Sequence, residues 1–156
     1  MAFSLQPLEL APLVKQAQDS LRDFARGFGV GYEWEDQLGN AKAWVDPDRL
    51  IQVLVNLLSN AAKSSPTGES IRIRAFRMDQ ALRIEVEDRG PGIPEEFRPR
   101  LFEKFSQADA SSTRQKGGSG LGLSIAKALI EGMGGTIGYQ SAPGRTVFHL
   151  QLQEAP

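Results

Sequence analysis

Three groups of residues in this chain have types and spacings suited to chemistry. Asn56, Asn60 and Lys63 stand at i, i+4 and i+7 in a segment of helical apolar periodicity, so at about 100° per residue they fall within roughly 60° of one another. They share one face, nearly opposite the stripe of Leu50, Ile51, Leu54, Leu57, Leu58 and Ala61. A solvated helix face is the plain reading of such an arrangement. Solvent faces, however, are usually filled with Glu, Lys or Gln, whereas Asn costs helix propensity and competes for backbone hydrogen bonds. A neutral amide oxygen can join the shell of Mg²⁺, and a lysine one turn later can meet phosphate.

The second group ends a strand. Leu82, Ile84 and Val86 share one parity and Arg83, Glu85 and Glu87 the other, which puts Asp88 on the apolar side. A carboxylate there needs a partner, and two readings are open: capping of the following turn, or acceptance from an adenine amino group. Gly90 and Gly92 allow the backbone to approach a flat ligand or to take positive φ. The third group, Gly117-Gly-Ser-Gly-Leu-Gly-Leu123, opens a helix, where backbone N–H groups and the positive end of the dipole suit phosphate. A flexible linker with a helix start also fits it. No Lys-Ser/Thr pair follows these glycines and no strand precedes them, so a Walker A loop is excluded and a dinucleotide fingerprint unsupported.

Periodicity and punctuation indicate the elements that must position these groups. Leu10, Leu13, Val14, Ala17, Leu21, Phe24 and Phe28 predict one amphipathic helix over about residues 8–28. Trp34 and Trp44 suggest two small strands around a Gly39-Asn40 turn. Asp46-Pro47 reads as an N-cap followed by proline at the first helical position, starting a helix that runs to about Ser64 and stops before Pro66. Ile71 to Met78 and Leu82 to Asp88 read as an antiparallel hairpin turning at Asp79-Gln80. A short helix is expected over Glu95 to Phe105, then a polar, glycine-rich stretch from Ser106 to Gly120 with the composition of a mobile loop. A third long helix carries Leu121, Ile125, Ala128, Leu129 and Met133, and strands over about 136–140 and 145–153 finish the chain. Blocks of helix and strand whose neighbours pair through tight turns predict an α/β (α+β) two-layer sandwich: a mostly antiparallel mixed sheet covered on one face by three helices.

Composition narrows the chemistry. The 156 residues include no cysteine, which excludes disulfides, thiolate metal sites and a cysteine nucleophile. A single histidine, His149, cannot build a histidine metal site, and its strand parity with Val147 and Gln151 marks it as a half-exposed structural residue. A formal charge of −1 with interspersed signs gives no footprint for nucleic acid or an anionic membrane. No apolar stretch approaches the ~20 residues of a membrane span, and one core, hence one domain over 1–156, is expected at this length.

Taken in order, these pieces resemble the ATP-binding catalytic domain of sensor histidine kinases, in the superfamily that includes gyrase B, heat-shock chaperones and mismatch-repair ATPases. Asn56-Leu-Leu-Ser-Asn-Ala-Ala-Lys63 resembles the N box, Asp88-Arg-Gly-Pro-Gly-Ile93 the first glycine box, Phe102-Glu-Lys-Phe105 the F box and Gly118-Ser-Gly-Leu-Gly-Leu123 the second glycine box. The resemblance implies the Bergerat ATP-binding fold, with Asp88 accepting from the adenine amino group, Asn60 ligating Mg²⁺ and Lys63 near the phosphates. It implies that Asn56, Asn60 and Lys63 form the catalytic set. Gly90, Gly92, Ile93, Lys104, Phe105, Gly118, Ser119, Gly120, Leu121, Gly122 and Thr146 complete the nucleotide contacts it implies. Phe102 and Phe105 would anchor a lid over about 106–120, with Arg114 or Lys116 reaching the nucleotide.

Two departures from the family pattern stand out. The last glycine box usually carries two glycines before a Thr, whereas Gly144-Arg-Thr146 has one; Thr146 still shares parity with Phe148, Leu150 and Leu152 and should face inward. No His-Glu or His-Asp pair exists here, so the phosphoacceptor histidine is absent from this segment. The implied activity is Mg-ATP-dependent transfer of the γ-phosphoryl group to a histidine on a separate dimerisation domain, with a response regulator receiver domain downstream. The implied location is cytoplasmic, including as part of a membrane-bound sensor, with no nucleic acid and no direct membrane contact. The alternatives are an ATPase of the superfamily, a nucleotide-binding module or pseudokinase, and an anti-sigma-factor serine kinase.

Overall fold

A computed structural model describes residues 2–103 and 122–156. In chain order it contains β1 (Gln6–Leu8), α1 (Ala11–Ser20), α2 (Arg22–Gly27), β2 (Gly31–Gln37), β3 (Lys42–Val45) and α3 (Pro47–Ser64), then β4 (Ser70–Met78) and β5 (Ala81–Asp88). A short 3₁₀ helix, Glu95–Arg100, precedes α4 (Gly122–Gly132), β6 (Thr136–Ala142) and β7 (Arg145–Ala155). The strands form one mixed sheet in the order β1-β3-β7-β5-β4-β2, with β6 also paired to β7. Every pairing is antiparallel except that of β2 with β4. The expected mixed, mostly antiparallel sheet with helices is what the chain forms.

The 11-residue β7 organises the sheet. Thr146 to Gln153 pair with β5, Arg145 to Gln151 with β6, and Glu154 and Ala155 with β3. Helix α3 lies over β5, between α1 and α4. Its buried row, Leu50, Val53, Leu54, Leu57, Leu58 and Ala61, meets Ile71, Ile73, Leu82, Ile84, Val86, Leu150 and Leu152 in one core. Fully burying a leucine or isoleucine contributes about 1.5–3 kcal/mol, so this contact is the main reason α3 holds its place. The opposite sheet face is polar and laced with ion pairs, Arg72 to Glu35 at 2.7 Å and Arg83 to Glu85 at 2.8 Å among them.

Four local expectations are corrected. The single first helix is broken at Leu21, whose φ of −107° and ψ of 5° interrupt the α-helix while its N–H bonds the Gln18 carbonyl three residues back. The break keeps Leu21 in the core and leaves Phe24 and Phe28 partly exposed, so the apolar stripe does not continue as one face. The strands flanking Gly39-Asn40 exist, but β2 pairs with β4 and β3 with β1 and β7; the link between them, with buried Leu38, carries the chain across the sheet instead of closing a hairpin. The helix expected to reach Phe105 is a 3₁₀ turn ending at Arg100, because Pro99 inside it has no N–H and its ring opposes an α-helical turn. Strand β1, in a stretch given no strand from sequence, pairs Gln6–Leu8 with β3. The expected loop over 106–120 lies outside the described residues.

Asp46 fixes where α3 begins. Its carboxylate accepts from Arg49 N–H at 3.3 Å and from Ser4 N–H at 3.0 Å, so it caps the helix and ties down the N-terminal segment at once. Asp46→Ala should therefore lower stability by about 1–2 kcal/mol at neutral pH. The Ser4 bond, followed by that of Arg49, holds the Asp46 carboxyl below its usual range. Its contribution is full above the unfolded carboxylate pKa and is lost as pH falls through the lowered folded value. Urea titrations should show the gap between wild type and Asp46→Ala shrinking in acid.

Candidate nucleotide site

Asp88 closes β5 on the helix-facing parity of Leu82, Ile84 and Val86 and is 6% exposed. Among the described residues its carboxylate accepts one hydrogen bond, from Gly90 N–H to Oδ1 at 2.9 Å. Burial raises its pKa above the usual carboxylate range, opposed by the Gly90 bond and reinforced by the neighbouring charge of Glu87. Glu87, also buried, is held by Arg145 at 2.9 Å and lies 3.7 Å from Arg89. A buried, ionisable acceptor with one internal donor is suited to a donor from a ligand.

The walls around Asp88 are close-set. A Cβ on Gly90 would stand 2.6 Å from the Ser64 carbonyl oxygen, so only glycine lets this loop lie on the end of α3. Gly92 has φ +92°, and a Cβ there would meet the Ala142 carbonyl at 2.7 Å. Ile93 N–H donates to Ser141 Oγ at 2.8 Å, and Ser141 Oγ lies 3.0 Å from Thr146 Oγ1. Thr146, 4% exposed, stands opposite Asp88 in the β5–β7 register, as its inward parity implies. Asp88, Gly90, Gly92, Ile93 and Thr146 are thus brought together.

The polar face of α3 meets the start of α4. Asn56 Nδ2 donates to the Gly122 carbonyl, and Asn60 Nδ2 faces Asn56 Oδ1 at 3.5 Å. A Cβ on Gly122 would collide with the Asn56 amide, so this glycine admits the side chain that holds it. The two mid-helix asparagines therefore have a packing reason. Lys63 stands apart: its ammonium is 6.0 Å from the centroid of the Phe24 ring on α2. Phe102 packs against Tyr139 and Phe148, at centroid distances of 6.2 and 6.4 Å. Lys104, Phe105, Gly118, Ser119, Gly120 and Leu121, with Arg114 and Lys116, lie outside the described residues.

His149 lies on the open sheet face opposite Glu85, half-buried, with its ring where a Cβ on Gly138 would be; burial lowers its pKa. Ser141 and Arg98 were missed from sequence. Ser141 had a signal, since the Pro143-Gly144 turn sets it opposite Thr146. Arg98 had none.

The comparisons decide the family. Residues 45–156 match the model of the histidine kinase-, DNA gyrase B-, and HSP90-like ATPase family. The chain belongs to this family. It is 44% identical over 167 aligned positions to the sensor histidine kinase AruS of Pseudomonas aeruginosa, covering 95% of this chain and 17% of AruS. The fold matches the catalytic domain of the histidine kinase ThkA with a TM-score of 0.85 at 26% identity, covering 99% of this chain and all of that one. It also matches full-length ShkA, determined in complex with AMPPNP, with a TM-score of 0.85 at 30% identity, covering 99% of this chain and 32% of ShkA. The chain thus spans less than a third of the length of AruS or ShkA. Among the described residues no helix is long and apolar enough to cross a membrane.

Two glycines at positive φ separate strain from contact. Gly144 has φ +83° and open space around a would-be Cβ, whereas Gly92 combines positive φ with a carbonyl in the way. Gly144→Ala should cost about 1 kcal/mol, the strain alone, and Gly92→Ala clearly more. Thermal melts of the two variants should rank them in that order; a reversed order would contradict the close approach at Gly92.

Proposed function

We propose that this catalytic domain binds ATP with Mg²⁺ and passes the γ-phosphoryl group to a histidine on a separate dimerisation domain. The observation that carries the reading is the buried Asp88 carboxylate, which among the described residues accepts one hydrogen bond and sits between Gly90 and Thr146. Membership of an ATPase family supports ATP as the nucleotide. In this reading Asp88 accepts from the adenine amino group, the backbone at Gly90, Gly92 and Ile93 lines the base, and Thr146 supports the carboxylate from β7. Lys104, Phe105, Gly118, Ser119, Gly120, Leu121 and Gly122 complete the contacts, the glycines cradling the phosphates.

Asn60 fits a Mg²⁺ role. Its amide nitrogen is turned to Asn56, which leaves the carbonyl oxygen for a cation. Mg²⁺ keeps waters and phosphate oxygens in its shell, so a single protein oxygen suits it. Mg²⁺, held by Asn60, would neutralise phosphate charge and so ease departure of the leaving oxygen. Lys63 reaches the phosphates by leaving the Phe24 ring, a move its four-carbon stem allows. A ring nitrogen of the acceptor histidine attacks the γ-phosphorus, the bond to the β,γ-bridging oxygen breaks, and ADP departs. Asn56 is an amide and takes no proton from water, so the site disfavours hydrolysis. A receiver domain downstream and a cytoplasmic location follow from the same reading.

Incubation with γ-labelled ATP and a histidine-bearing helical hairpin from a related kinase tests it. The expected result is label on the hairpin histidine, with very slow phosphate release by this chain alone. Rapid steady-state release would favour an ATPase, and tight binding without transfer to a matched hairpin a nucleotide-binding module. Asp88→Asn should fold normally and, because the buried charge is gone, be no less stable at neutral pH. It should bind ADP more weakly by about 2 kcal/mol or more, roughly 30-fold by calorimetry. Unchanged affinity in the folded variant would remove Asp88 from the site.

A further inference from the structure

Arg98 lies on the 3₁₀ helix Glu95–Arg100, outside every motif read from the sequence. Its guanidinium donates twice, Nε to the Ile93 carbonyl at 3.0 Å and Nη2 to the Ser141 carbonyl at 3.1 Å. Those acceptors are already joined, since Ile93 N–H donates to Ser141 Oγ at 2.8 Å. Arg98, Ile93 and Ser141 therefore form a closed ring of contacts in which each residue touches the other two. The ring adjoins the base-pocket wall through Thr146, whose hydroxyl is 3.0 Å from that of Ser141 and which stands opposite Asp88. On its other side it fixes the 3₁₀ segment, helped by the Tyr139 hydroxyl bonding the Arg98 carbonyl at 3.4 Å. A planar fork with donors in fixed directions can hold two carbonyls at once; a lysine ammonium is a single point charge on a flexible stem.

We propose that Arg98 is a positioning residue for nucleotide binding: its two bonds make the placement of residues 95–103 depend on the wall that holds the base. The proposal rests on the base-pocket reading of Asp88. A base seated against Asp88 and Thr146 restrains Ser141 and Ile93, and the guanidinium passes that restraint to the segment beyond. Without the fork the wall still binds the base, but it no longer instructs the segment and is less well held itself.

Hydrogen exchange on the whole chain, with and without saturating ADP, tests this in wild type, Arg98→Ala and Arg98→Lys, alongside calorimetry and thermal melts. In wild type ADP should slow exchange at both 88–92 and 95–103. In Arg98→Ala, ADP at saturation should still protect 88–92 while 95–103 exchanges as in the free protein, and the ADP Kd should rise at least ~5-fold. Arg98→Lys, which keeps the charge and the stem, should show the same uncoupling to a smaller degree and serves if the alanine variant fails to fold. A lower melting temperature with ADP-dependent protection of 95–103 intact would mean Arg98 is merely structural and would overturn the proposal. ADP affinity and protection both unchanged in the variants would overturn it too. If ADP protects nothing at 88–92 in wild type, the base-pocket reading fails first, and the proposal with it.

Discussion

The candidate site is built around one carboxylate kept in a place where it is costly. Asp88 is almost fully buried at the end of a central strand, and burial raises its pKa by penalising the charged form. A protein gains no stability from such a group unless donors offset the penalty. Among the described residues the donor is the Gly90 amide. In the proposed reading the remaining deficit is met by a flat donor-bearing ligand, so the position is a liability for the empty domain and an asset for the loaded one.

Much of the surrounding architecture can be understood as support for that carboxylate. The eight-residue β5 is held between β4 and β7 and covered by the buried row of α3, and the Ser64 carbonyl of α3 comes so close to Gly90 that no side chain fits between. From the other side β7 sets Thr146 opposite Asp88, and the β6–β7 turn brings Ser141 to the Ile93 amide. Helix α3 also presents Asn56 to Gly122 and Asn60 to Asn56, so the same rigid rod positions both the base end and the phosphate end of the proposed site. Glycines matter at these approaches because they remove a Cβ where two backbones or a backbone and an amide must nearly touch.

Sequence periodicity carried the central elements well and the edges poorly, for physical reasons. Helix α3 has an N-cap, a proline at its first position and a continuous stripe, and its bounds match the expected ones. The β4–β5 hairpin has alternation on both strands and a two-residue turn, and it too lies where expected. Asp88 was legible because strand parity is a strict rule. By contrast, β2 and β3 flank a turn signal without pairing, since a Gly-Asn dipeptide specifies a change of direction and not a partner. The break at Leu21 depends on what the helix packs against, which no local pattern records. Lys63 shares the face of Asn56 and Asn60 in helical projection, yet its long stem carries the ammonium to Phe24. Arg98 acts through two backbone carbonyls, which have no sequence identity at all.

The central claim, that the Asp88 carboxylate recognises an exocyclic amino group on the base, is tested most directly by changing that group alone. Inosine diphosphate has the sugar and phosphates of ADP but a carbonyl where adenine carries its amino donor. Calorimetric titration of the wild-type chain with the two nucleotides in Mg²⁺ should show ADP binding tighter by about 2 kcal/mol or more, roughly 30-fold, because the carbonyl would face the buried carboxylate without a proton between them. Equal affinity for ADP and inosine diphosphate would contradict the account.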